Sequence, residues 1–199
     1  MKTVSLSGSL RGNVGKKDAK QNRRNGNIPC VLYGGKSQLH FLLSEKETKP
    51  FLFSTEVFRY KITIDGTQYD AILQDAQFHP VSDSVYHIDF LEVIPDKPVK
   101  LSLPLRLIGT PAGVFRGGKL VKKFRKLKVM GLIDNIPDAI ETNISHLEIL
   151  DVIKISDIKV DNLTVLDPPG SLVVTVQSTR TVAAEPVQPG ASKTEPAKK

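Results

Sequence analysis

The stretch FHPVSDSVYHIDF, residues 78–90, sets His79 and His87 close to Asp89, with His87 and Asp89 standing as His-x-Asp. That spacing suits one strand of a facial triad, in which two histidines and one carboxylate hold a non-haem iron. His146, 57 residues beyond Asp89, supplies the third ligand in such an oxygenase. The same groups are also hydrogen-bonding tips for a folded RNA. A carboxylate accepts from a guanine amino group or a ribose 2′-hydroxyl, and an imidazole donates or accepts according to its tautomer. Strand parity separates the two chemistries. In VYHIDFL, alternation places Tyr86, Ile88 and Phe90 on one face and His87 and Asp89 on the other. If the apolar face enters the core, His87 and Asp89 point outward, where an iron site has no enclosing walls. Hydrolytic chemistry has less to work with. There is no GxSxG elbow, and Cys30 lies inside an apolar strand as a packing residue.

The elements that must position these groups are mostly strands. TVSLSGSL opens the chain, and VGKKDAKQNRRNGNIP follows as a basic segment whose middle is helical, with Gly26 as its stop. This helix lacks an apolar stripe and so displays charge rather than buries area. CVLYGG and LHFLL are strands. SEKE has capping-box form, with Ser44 as cap and Glu47 three residues on, and Pro50 bends or restarts the helix that follows. FRYKITI and TQYDAILQDAQF alternate across Asp65-Gly66, a two-residue hairpin signal. With SVYHIDFLEV, these segments make a small β-barrel with two short helices over residues 1–93. The prolines of IPDKPVK mark a boundary. Residues 94–180 then read as an antiparallel β domain, and residues 181–199 as a disordered tail without periodicity.

Composition narrows the partner. The chain has 199 residues, one cysteine and a formal charge of +7. A single cysteine excludes an intrachain disulfide framework and a multi-cysteine zinc site. No apolar run reaches the roughly 18 residues that cross a bilayer, and no apolar h-region follows Met1, so the cytoplasm is the expected compartment. The charge is concentrated. Residues 11–24 carry net +5 and residues 116–128 net +7, leaving the remainder slightly acidic. Two such patches resemble phosphate footprints. RGGKLVKKFRKLK reads as an exposed hairpin whose Lys122, Lys123, Arg125 and Lys126 form a second basic patch.

RNA recognition absorbs more of these residues than iron does. Asp89 tolerates a polyanion only beside enough Lys and Arg, which RGNVGKKDAKQNRR supplies. Tyr33, Gln74 and Gln77 add stacking or polar contacts. The segments RGNVGKKDAKQNRRNGNIPCVLYGG and ILQDAQFHPVSDSVYHIDF resemble the bacterial large-subunit ribosomal protein L25, general stress protein Ctc family. PLRLIGTPAGVFRGGKL and IPDAIETNISHLEILDVIKISDI extend the resemblance to its longer, two-domain form. The resemblance implies a structural, non-enzymatic protein of the large subunit that binds 5S rRNA. Its barrel would sit in the widened minor groove of loop E, where the RNA carries magnesium, with neighbouring ribosomal proteins as further partners. No cofactor of its own, small-molecule substrate or membrane is implied. Carried over, the RNA face comprises Arg11, Lys16, Lys20, Arg23, Tyr33, Gln74, Gln77, His87 and Asp89. Where the family shows a small residue, Ser and two arginines, this chain has Asp18, Ala19, Lys20 and Gln21.

Overall fold

The computed structural model describes residues 1–35, 37–95, 97–158, 160 and 162–179; the expected tail at 181–199 lies outside them. The first half closes a six-stranded barrel in the order β1-β3-β2-β6-β5-β4. Its strands are β1 (Lys2–Leu10), β2 (Asn27–Tyr33), β3 (Leu39–Ser44), β4 (Phe58–Ile64), β5 (Thr67–Phe78) and β6 (Val85–Glu92). Helix α1 (Lys16–Arg24) joins β1 to β2, and α2 (Glu45–Leu52) joins β3 to β4. The parallel pairs β1–β4 and β2–β6 shut the sheet on itself, so the barrel presents no free strand edge.

Side-chain alternation fills the interior with Ile28, Cys30, Leu32, Phe41, Leu43, Tyr60, Ile62, Ile88 and Phe90, all buried. Phe41, Phe90 and Tyr60 form a chain of rings, with centroids 6.0 and 5.4 Å apart. Burial also pushes the Cys30 thiol far above its ordinary range, and the thiol stays neutral and unreactive. Asp65 (φ 46°) and Gly66 (φ 82°) make the expected left-handed hairpin turn. One local expectation fails. Ser44 is the N-cap of α2, but its hydroxyl makes no cap bond; instead the Thr48 hydroxyl donates to the Ser44 carbonyl at 2.7 Å. Pro50 lies within α2, which runs through it to Leu52.

The second half forms two sheets around a separate cluster of buried aliphatic side chains, including Leu103, Leu127, Val129, Ile153, Val173 and Val176. One sheet has the order β10-β7-β9-β12, built from β7 (Val99–Ile108), β9 (Lys126–Gly131), β10 (Ile140–Asn143) and β12 (Thr164–Val165). The other has the order β11-β13-β8, built from β8 (Lys119–Lys122), β11 (Val152–Lys154) and β13 (Leu172–Gln177). A four-residue helix, α3 (Ala112–Phe115), precedes β8. The pairing is antiparallel except between β7 and β10, which run parallel. The expected hairpin in RGGKLVKKFRKLK does not form. β8 pairs with β13 and β9 with β7 and β12, so the chain switches sheets at residues 123–125, where Phe124 packs against the core.

The two halves meet on the outside of the barrel. Ile72 and Leu91, opposite each other on β5 and β6, pack into the cluster of the second half together with Val57 and Val93. Tyr60, 2% exposed, gives the barrel core a pH signature. Burial pushes its phenol up to about 12. The unfolded value is about 10, so its contribution is complete below about pH 10 and is lost as pH rises toward about 12. Between about pH 9 and 12, Tyr60→Phe should therefore gain about 2 kcal/mol of stability relative to the wild type in urea unfolding. A pH-independent difference would show that the phenol ionises as freely folded as unfolded.

Candidate nucleic-acid interface

The outward side of β5 and β6 is set by their register. Gln77 lies opposite His87, Ala76 opposite Ile88 and Asp75 opposite Asp89. Two bulges interrupt this ladder, one between Leu73 and Asp75 and one between Gln77 and Phe78. The second corrects the parity argument. Val85 pairs with Phe78, so Tyr86 is the extra residue; Val85 takes the core position and Tyr86 lies 38% exposed. Ile88 and Phe90 are buried as expected, and His87 and Asp89 do face outward. The first bulge displaces Gln74, which is exposed and lines a cleft beside the barrel, apart from the Gln77–His87 pair.

His87 and Asp89 are bound to each other, with Nδ1 and Oδ1 2.7 Å apart and both side chains half-buried. This contact fixes the imidazole plane and leaves Nε2 for a partner. On β2, Val31 lies beside Asp89 and Tyr33 beside Leu91. Burial, then the nearby carboxylates of Asp89 and Asp75, raises the Tyr33 phenol. It therefore remains a neutral hydrogen-bond donor at physiological pH. Tyr33, Gln77, His87 and Asp89 thus share one polar face across three strands. Asp75 belongs to it too, although sequence reasoning passed it over; its place opposite Asp89 depends on the first bulge.

Helix α1 packs beside β2 with none of its residues buried, so polar contacts hold it in place. Arg11 Nη2 and Asn22 Nδ2 both donate to Asp18 Oδ2, at 2.8 and 2.9 Å. The Arg11 side chain is only 6% exposed. The structure therefore places it in an internal ion pair rather than on the open face expected of it. Asp18 is the residue that takes it. Arg23 is also engaged, donating from Nη1 to the Tyr86 carbonyl at 3.3 Å, with its guanidinium carbon 4.8 Å from the Tyr86 ring centre. His79 meets that ring in a T-shaped contact, at 5.3 Å, while its Nδ1 accepts the N–H groups of Val81 and Ser82. Lys16, Lys17, Lys20 and Arg24 remain exposed along the helix. Tyr86 was missed as a site residue because a bulge is invisible to alternation.

The iron arrangement does not assemble. His146 lies in a turn after β10 in the second half and lines a different cleft. Among the described residues, no three His, Cys, Asp or Glu side chains are grouped to hold a metal.

The second basic patch is divided by the fold. Lys122 Nζ donates to the Leu105 carbonyl, and burial, aided by Arg125, lowers its pKa. Lys123 and Arg125 are exposed where the chain changes sheets, and Lys126 opens the outer row of β9.

The Arg11–Asp18 pair carries a stability expectation. Asp18→Ala strands a nearly buried guanidinium whose Nε lacks a partner among the described residues. Removing one member of a fully buried pair costs about 3–5 kcal/mol. Asp18 is a third exposed, so a loss of about 2 kcal/mol is expected in urea unfolding. An unchanged midpoint would mean that the pair does not hold the helix.

Comparison with known proteins matches this architecture twice. The profile of the Ribosomal L25p family covers residues 6–90, and that of the ribosomal protein TL5 C-terminal domain covers residues 98–180. Similar proteins include the large ribosomal subunit protein bL25 of Amoebophilus asiaticus, 39% identical over 92% of this chain and 94% of that protein. That of Cytophaga hutchinsonii is 38% identical over 93% and 96%, and that of Porphyromonas gingivalis 40% over 90% and 95%. With a barrel matching one profile, a second β unit matching the other and relatives aligned over nearly their whole length, this chain belongs to the Ribosomal L25p family in its two-part form.

Proposed function

We propose that this protein is a structural, non-enzymatic component of the large ribosomal subunit, resident with the ribosome in the cytoplasm, and that its barrel binds 5S rRNA. The observation that supports this most is the polar face on β2, β5 and β6, flanked by the charged helix α1. Tyr33, Gln77, His87 and Asp89 offer both donors and acceptors at fixed positions, as a groove surface with base edges and 2′-hydroxyls requires. Lys16, Lys20 and their neighbours on α1 offer phosphate contacts at its side. Arg23 contributes by bracing Tyr86, and Arg11 by bracing α1 through Asp18.

The widened minor groove of loop E is the proposed target. The facing carboxylates of Asp75 and Asp89 are costly beside bare phosphate, but they suit an RNA surface that carries its own magnesium. Residues 1–93 are proposed as the RNA-binding unit and 94–180 as a unit facing neighbouring ribosomal components. The docking of Ile72 and Leu91 into the second cluster indicates that the units support each other.

The test is a titration of 5S rRNA with wild type and Asp89→Ala side by side. The substitution leaves RNA donors and His87 without their acceptor. Affinity should fall by about 5- to 150-fold, that is about 1–3 kcal/mol, with little change in thermal stability. Wild-type affinity in the folded variant would remove Asp89 from the interface. Failure of the wild type to bind 5S rRNA at all would overturn the proposed target.

A further inference from the structure

Between the barrel and the second half lies an open cleft of about 740 Å³ that borders the polar barrel face at Asp75 and extends beyond it. Its walls differ in character. One is the outer side of β7 and β9, where alternation brings Lys100, Ser102, Lys126 and Lys128 out together. The register sets Ser102 beside Lys128, with Lys100 two residues along on one side and Lys126 two residues along on the other, making a basic strip across two strands. Among the described residues, none of these three lysines has an ion-pair partner, although Asp167 accepts the backbone N–H of Lys128 at 2.8 Å.

The opposite wall belongs to the barrel. Phe78 reaches the cleft at 39% exposure and lies against Phe53, itself 54% exposed, with ring centroids 5.5 Å apart and planes tilted by 51°. Gln74 and Asp75 line the same wall, and Asp75 is also opposite Asp89, so the cleft runs on from the polar barrel face. The other acid at the cleft, Glu56, is already taken by Lys2 at 2.6 Å and Arg106 at 3.6 Å. A basic strip facing exposed aromatic rings matches an unpaired nucleic-acid strand, whose phosphates follow the lysines while a base stacks on a ring.

We propose that this cleft is a second RNA-binding surface, which holds an unpaired RNA segment on Lys100, Lys126 and Lys128 with a base against Phe78. It rests on the reading above only in taking RNA as the partner. The volume accommodates a nucleotide with its flanking phosphates. The lysine-rich run at residues 122–128 then works through its last two lysines, with Lys100 from a distant stretch of sequence completing the strip.

The probe is a fluorescein-labelled uridine decamer, titrated by anisotropy into the full chain at several salt concentrations. K100Q/K126Q/K128Q should weaken binding at least about ten-fold at low salt and reduce the log–log salt slope by about 2, as loss of three single-strand phosphate contacts requires. F78L should weaken binding about five-fold with the slope unchanged, since stacking carries no counterion release. K119Q/K154Q, exposed on the other sheet of the second half, should leave decamer binding unaltered. If the triple variant binds like wild type, if wild type does not bind the decamer, or if K119Q/K154Q weakens binding as much as the triple variant, the proposal is overturned. A parallel titration with 5S rRNA separates the two readings. Lysine-dependent decamer binding without 5S rRNA affinity leaves the cleft standing and removes the 5S assignment, whereas the reverse result removes the cleft.

Discussion

The pairing of β5 with β6 is the constraint on which the rest of the molecule depends. A regular antiparallel ladder gives each strand one inward and one outward face along its whole length. Here the outward face has two duties. At one end it presents Gln77, His87, Asp75 and Asp89; at the other it carries Ile72 and Leu91, which enter the core of the second half. The bulge at Gln74 lies between them and changes the phase, so that apolar and polar outward positions coexist on one strand. The second half of the chain therefore docks directly beside the polar face, and the cleft with Lys100, Lys126 and Lys128 opens where the two meet.

A second constraint arises from α1. A nine-residue helix with no buried side chain gains little from the hydrophobic effect, and isolated helices of that length are marginal in water. The structure holds it at two polar points. Near its start Asp18 takes Arg11 from the end of β1, and near its end Arg23 reaches over Tyr86 on β6. Both points use arginines that sequence reasoning assigns to RNA. A charged segment thus spends some of its cations on fixing its own position and leaves its lysines for the partner.

The same economy shows in the second half. Lys122, inside a run of cations, satisfies the Leu105 carbonyl where the chain passes from one sheet to the other. Phe124, flanked by basic residues, is an anchor for that passage rather than part of a charged hairpin. Net charge along a sequence window therefore overstates the charge available to a ligand, because burial and internal bonds remove members of the run one at a time.

Much of the fold was legible in the sequence, for physical reasons that act locally. Period-two alternation identified the barrel strands, Asp65-Gly66 identified the hairpin, and Gly26 identified the end of α1, because each depends on backbone preferences within a few residues. The outward direction of His87 and Asp89 followed from the burial of Ile88 and Phe90 next to them. Composition and charge clustering pointed to a polyanion, and long motifs pointed to the family. Only tertiary structure decided that Tyr86 leaves the core face, that Arg11 turns to Asp18, that β8 and β9 part, and that Lys100 joins Lys126 and Lys128. Each of these depends on which strand lies beside which and on a one-residue slip in register. That choice is made by contacts between residues far apart in the chain, and no local pattern encodes it.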